Sequence, residues 1–216
     1  DPDANDTNIF GTDHSPWGEM PLTPITHWML SRGDRIDRVT QRQVVTTPPG
    51  LTQQVLTLAL ADILDRHHAL RLCLNRSGDR PNLEVRPTGS IDARDCLRRI
   101  PVSTPPGDPL NPKIIEAAEV AASELDVTAG TLLRAVWFDR GEQEPGRLLL
   151  IVHHLAVDGV SWKILLPDLE AAVTARTQGR TPELSLPGTP LRAWALALEE
   201  AAHTPRWTDQ MPTGVR

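Results

Sequence analysis

The sequence predicts a mixed α/β layer fold in which a mixed sheet is flanked by helices. Three observations predict it. Apolar residues recur every three or four positions over 51–68, 114–125, 164–175 and 191–202, the signature of amphipathic helices. Short runs of strand character at 38–47, 70–74, 132–138 and 147–153 are interleaved with them. One of these runs is apolar without a break from Leu148 to Val152, which requires cover on both faces of its sheet. Layers of helix and sheet around a common core satisfy all three.

The elements follow in order. Residues 1–20 are rich in Asp, Asn, Gly and Pro and read as a linker or lead-in. Thr23 is placed to cap a short helix that has Pro24 at its first position. Val39, Val44 and Val45 mark a strand over 38–47, closed by Pro48-Pro49-Gly50. In the helix over 51–68, Leu56, Leu60, Ile63, Leu64 and His67 share one side. Leu70-Arg71-Leu72-Cys73-Leu74 alternates as a strand, with Arg71 and Cys73 opposite the leucines. Residues 82–87 return as a hairpin, and the Pro-rich 88–112 holds one short strand near 98–103. A helix over 114–125 precedes the strand 132–138, which turns through 139–146 into the strand 147–153. The helix over 164–175 is interrupted by Pro167, which either kinks it or falls in its first turn. In the last helix, 191–202, Leu191, Trp194, Ala195 and Leu198 form the apolar stripe.

Composition excludes several classes of function. The 216 residues carry 22 Lys and Arg against 28 Asp and Glu, a net charge of −6, whereas general nucleic-acid binding needs a basic face. No apolar run approaches the roughly 18 residues needed to span a bilayer, and the polar, acidic N-terminus shows no signal peptide. Cys73 and Cys96 lack metal-ligand spacing and read as reduced thiols of a cytoplasmic protein.

The chemistry concentrates after Val152. The strand 147–153 runs into His153 and His154, and an Asp-Gly turn, Asp158-Gly159, follows. His154 fits two readings equally on the residues alone: a general acid/base, since imidazole exchanges a proton near neutral pH, or a buried histidine bonded to backbone. His153 faces the other way if the pleat persists and then supports the loop. Asp158 could orient His154 as in a triad, but its four-residue separation and its place in a turn favour a structural role, paired with a cation for which Arg71 is the candidate. Gly159 is expected to adopt a backbone conformation that a Cβ would forbid. Ser161 reads as a helix cap or, less directly, a substrate contact. A Ser-His-Asp hydrolase is a poor fit, because no Gly-x-Ser-x-Gly elbow is present. A metal centre is not expected, because adjacent strand residues diverge and no further ligand has the right spacing.

The string His153-His154-Leu155-Ala156-Val157-Asp158-Gly159 resembles the HHxxxDG motif of the condensation-domain superfamily of nonribosomal peptide synthetases, which has the chloramphenicol-acetyltransferase-like fold. Arg66-His67-His68-Ala69-Leu70-Arg71 resembles its second core motif, and Gly130-Thr131-Leu132-Leu133-Arg134-Ala135 resembles the strand that precedes the histidines. Two details resemble the epimerization branch: Val160-Ser161-Trp162 after the Asp-Gly pair, and the opening Pro21-Leu22-Thr23-Pro24-Ile25-Thr26-His27-Trp28. The departures are Thr26-His27 and Met29 in that opening, His68 where an acidic residue is common, and Pro167 after the site.

The resemblance implies inversion of the α-carbon of an aminoacyl or peptidyl thioester. His154 would be the acid/base, His153, Asp158, Gly159 and Arg71 its supports, and Ser161 and Trp162 candidates for the substrate channel. No cofactor would bind directly, because the partner, a peptidyl carrier protein, brings the phosphopantetheine arm. Full members have two lobes. The resemblance therefore implies that residues 21–180 are the N-terminal lobe and 181–216 a crossover toward a missing C-terminal lobe, which would supply a second acid/base, a glutamate. The alternatives are a condensation or acyltransfer domain that forms an amide, and a non-catalytic carrier-docking half-domain.

Overall fold

The computed structural model describes residues 15–31, 36, 39–77, 80–103, 111–184 and 188–203. Its centre is a four-stranded mixed sheet formed by β2 (Thr40–Thr47), β7 (Gly146–His153), β6 (Leu133–Asp139) and β5 (Leu97–Pro101), in that spatial order. The β2–β7 and β7–β6 pairs are antiparallel, and β6–β5 is parallel. A second sheet is antiparallel, in the order β1 (Gly18–Met20), β4 (Asn82–Val85), β3 (Leu72–Asn75).

The apolar run of β7 is buried throughout, and alternation divides it between two cores. Leu148, Leu150 and Val152 join Leu133, Ala135 and Trp137 of β6 beneath α2 (Gln53–Arg66) and α5 (Trp162–Thr177). Leu149 and Ile151 point to the opposite face, where α4 (Asn111–Ser123) packs through Ala117, Ala118 and Ala121. Burying a leucine or valine side chain is worth about 1.5–3 kcal/mol, so cover on both faces makes β7 the best-anchored strand of the sheet. An ion pair, Asp62 with Arg176 at 2.6 Å, and a hydrogen bond between His67, which follows α2 directly, and Asp168 at 2.9 Å tie α2 to α5.

A third core lies on the small sheet, where Leu72, Leu74, Leu83 and Val85 meet Met29 of α1 (Pro24–Ser31) and Ala195 of α6 (Leu191–Ala202). The expected apolar stripe of α6 is corrected here. Ala193, Ala195 and Ala197 are its buried residues, whereas Trp194 and Leu198 are exposed. Small side chains bring this helix close to β1, and Arg192 bonds the carbonyl of Glu19 at 2.9 Å.

Several boundaries also move. The lead-in ends earlier than residue 20, because Gly18–Met20 is a strand; residues 1–14 lie outside the described residues. The long helix starts at Gln53 because the side chain of Thr52 caps it, accepting from Val55 N–H. Leu70 and Arg71 are not in a strand: His68–Arg71 is a 3-10 turn, and β3 begins at Leu72. α5 starts at Trp162, so Pro167 is its sixth residue and lies inside the helix. The helix continues past it to Thr177, leaving the Lys163 carbonyl without its i+4 donor. Among the described residues no helix is long and apolar enough to cross a membrane.

Candidate active site

The site forms where β7 ends. His153 is its last residue and is completely buried. Its Nε2 lies 2.7 Å from the carbonyl of Ile36, and its Nδ1 accepts the Leu155 N–H at 2.9 Å. A ring that donates at one nitrogen and accepts at the other is a neutral imidazole protonated on Nε2. His153 therefore closes the turn that carries its neighbour.

His154 follows on the opposite side and is half-buried. Its backbone N–H extends the sheet by one bond, to Val39 O at 2.8 Å. Its Nε2 lies 3.3 Å from Nε2 of Gln41, and Oε1 of Gln41 accepts the indole N–H of Trp162 at 2.7 Å. Three side chains from β2, the loop and α5 thus form one hydrogen-bonded chain. Gln41 is the functional candidate that sequence reasoning missed. A signal existed: Gln41, Gln43 and Val45 share one face of β2, and Val45 packs on the main core. A glutamine on that inward face needs a partner.

The loop beyond His154 is fixed from two sides. Leu155 is buried in the small-sheet core, Val157 in the main core, and Ala156 touches both. Asp158 then opens the turn that leads into α5. Its Oδ1 accepts from Val160 N–H at 3.0 Å, Ser161 N–H at 2.8 Å and the Ser161 hydroxyl at 2.7 Å. The Ser161 oxygen in turn accepts the Asp158 N–H at 3.0 Å. The hydrogen bonds from Ser161 hold the Asp158 carboxyl below its usual range.

Four expectations change. Ser161 stands at the N-cap position of α5, but its side chain makes no capping bond; its hydroxyl donates to Asp158, whose carboxylate also accepts from Val160 and Ser161 N–H in the turn before the helix. Asp158 is not paired with Arg71. The Arg71 side chain is buried and donates to the carbonyls of Leu64, Asp65 (2.8 Å) and Arg86 (3.0 Å), fastening the end of α2 to the residue after β4. Gly159 has no positive φ, and a Cβ there would meet nothing within 4 Å, so neither backbone conformation nor space demands glycine at this position. Trp162 is buried in the main core rather than on a channel wall, and its one donor is taken by Gln41. Ser161 does line a cleft, with His67, His68, Lys163 and Thr189. Among the described residues no cluster of His, Cys, Asp or Glu could hold a metal. Cys73 and Cys96 are both free and buried.

A helix-flanked mixed sheet that ends in a histidine pair and an Asp-held turn matches a known class of domain. The condensation-domain family model matches residues 17–211, and the chain belongs to that family. Over 201 residues it is 34% identical to part of a linear gramicidin synthase from Brevibacillus parabrevis, covering 93% of this chain and 4% of that protein. Over 188 residues it is 30% identical to surfactin synthase subunit 1 of Bacillus subtilis (strain 168), covering 87% and 5%. The epimerization domain from the third module of tyrocidine synthetase B superposes with a TM-score of 0.75 at 23% identity, over 88% of this chain and 42% of that one. The first condensation domain of the CDA synthetase gives 0.69 at 20% identity, over 88% and 48%. At these identities the structural likeness is one of fold, and it extends to both kinds of domain. The chain spans less than half the length of either.

Proposed function

We propose that this chain is the N-terminal lobe of an epimerization domain, acting on an aminoacyl or peptidyl thioester held on the phosphopantetheine arm of a peptidyl carrier protein. One observation carries the reading. Trp162, the residue that sets the epimerization form of the motif apart, is joined to His154 through Gln41. On this reading His154 removes the α-proton, which the adjacent thioester carbonyl makes acidic, and a group on the opposite side of the carbanion returns a proton. A general base at a fixed position contributes about 10²–10⁴-fold. His153 and Asp158 hold the loop, and Arg71 holds the α2 end of the fold beneath it. The opposing carboxylate and the carrier-docking surface belong to the two-lobed domain as a whole.

The test is isotope exchange. A carrier-loaded L-aminoacyl thioester incubated in D2O with the full-length protein should gain deuterium at Cα and yield both configurations. His154→Ala should lower exchange by at least ~100-fold. Exchange that survives the substitution, or amide formation between two loaded carriers without exchange, would overturn the reading in favour of condensation.

A further inference from the structure

The cleft beside Ser161 gathers positive charge without a matching acid. It has a volume of about 520 Å³ and lies between the end of α2, the first turns of α5 and the segment that leads into α6. Arg66 closes α2, His68 opens the 3-10 turn that follows, and Lys163 is the second residue of α5. Among the described residues, Asp168 is the only carboxylate that lines the cleft, and it accepts from His67 at 2.9 Å. Arg66, His68 and Lys163 have no carboxylate partner among the described residues, although acids outnumber bases in the chain by 28 to 22. Arg42, Arg98, Arg99 and Arg176 each reach one elsewhere. Nor does the end of α2 need Arg66. The carbonyls of Leu64 and Asp65 are taken by Arg71, and that of Ile63 by the His67 N–H. The Nε of Arg66 is shielded from solvent and has no hydrogen-bond partner among the described residues, a costly state until an acceptor is supplied. Like charges crowd the same place: burial, then the charges of Arg71 and Arg66, hold the His68 imidazole below its ordinary value. His68 also stands where an acidic residue is common in the motif that this segment resembles. An acid there would answer the arginine from within the chain, whereas histidine leaves the cleft to an anion from outside.

We propose that this cleft is an anion site that binds a phosphate group, held by Arg66, His68 and Lys163. A tetrahedral phosphate offers acceptor oxygens to donors that converge from separate elements, and a guanidinium can engage two of them at once. The two coplanar oxygens of a carboxylate suit a single fork better than donors spread over a helix end, a turn and a second helix. A free phosphate-bearing small molecule and the phosphodiester of a pantetheine arm present the same chemistry. Only the second source rests on the function proposed above. The site itself does not use His154, so phosphate binding and exchange at Cα are separate measurements, and either can fail while the other stands.

Titration of the full chain with inorganic phosphate tests the site, followed by the ring-nitrogen shifts of ¹⁵N-histidine-labelled protein. The His68 signals are assigned by their loss in His68→Gln. Phosphate should move them saturably. Arg66→Gln and Lys163→Gln should each weaken binding by about 10-fold, the worth of one charged hydrogen bond. Lys163 is exposed, so its variant probes the cleft without disturbing the core and should melt with the parent. A second titration uses free phosphopantetheine. Affinity at least about 10-fold above that of inorganic phosphate assigns the pantetheine arm as the source, and equal affinity assigns a free phosphate-bearing molecule. Shifts that do not saturate, saturation that leaves the His68 ring unmoved, or an affinity unchanged in both Arg66→Gln and Lys163→Gln would overturn the proposal.

Discussion

At the scale of single residues, backbone crowding and one carboxylate give the sharpest expectations. Gly146 opens β7 with an ordinary φ, yet a Cβ there would stand 2.6 Å from both the Phe138 carbonyl oxygen and Thr47 Oγ1. The first of these is backbone and cannot swing aside. Gly146→Ala should cost about 1–3 kcal/mol through overpacking, measured by urea denaturation. Asp158→Ala should cost about 0.5–1.5 kcal/mol through the lost hydrogen bonds of the turn, toward the lower end because the carboxylate is exposed. Its pH dependence has a definite sign. The native carboxyl is held below its ordinary value of 3.8, so the unfolded chain binds more protons near that pH. The contribution is complete above the ordinary value and fades as pH falls through the depressed native one. The acid-side difference between parent and Asp158→Ala should therefore close as pH drops. The end of the buried strand at the histidine pair and the turn at Asp158 were both legible in the sequence. Gln41 was legible only as an inward-facing polar residue of its strand, because no local pattern names the partner it needs, 121 positions away.

At the scale of elements, legibility followed pattern length. The helix over 51–68 and the strand over 147–153 appear within two residues of the expected ends because many apolar positions define each. Arg71 was misplaced because a short alternating pattern does not distinguish a strand from a 3-10 turn followed by one. The turn gives Arg71 three backbone carbonyls, an arrangement suited to the guanidinium fork and not to an ammonium. Arg71→Lys should destabilise by about 1.5–3 kcal/mol, the worth of a charged hydrogen bond, and Arg71→Ala by more. Both should leave the hydrogen-bonded chain from Trp162 through Gln41 to His154 unaltered in whatever fraction remains folded, since Arg71 does not touch it. The α6 stripe failed for a related reason: helical spacing finds an apolar face, but only the neighbouring sheet decides whether alanines or larger residues meet it.

At the scale of the whole molecule, two sheets and three cores must act together, and the site loop is what joins two of those cores. Leu155 enters one and Val157 the other, with a single residue between them. Leu155→Ala should cost about 2–5 kcal/mol. Because both cores share the loop, melting followed by tryptophan fluorescence and by far-UV dichroism should remain coincident in this variant, as cooperative unfolding requires. Separated transitions would mean that the small sheet unfolds on its own. None of this linkage is visible in the sequence, where Leu155, Ala156 and Val157 are simply three apolar residues of a motif whose intervening positions vary.

That straddling loop has a practical consequence for recombining relatives of this domain. A chimaera whose junction falls between His154 and Val157 takes the plug for one core from one parent and the plug for the other core from the second, and each then meets a cavity shaped for a different side chain. A junction in the largely exposed connection at 140–145 exchanges the whole of β7, the loop and the start of α5 as one cassette. Gln41 would still be left behind on β2. Successful exchange of the cassette should therefore require β2 to travel with it, although 113 positions separate Gln41 from His154 in the chain.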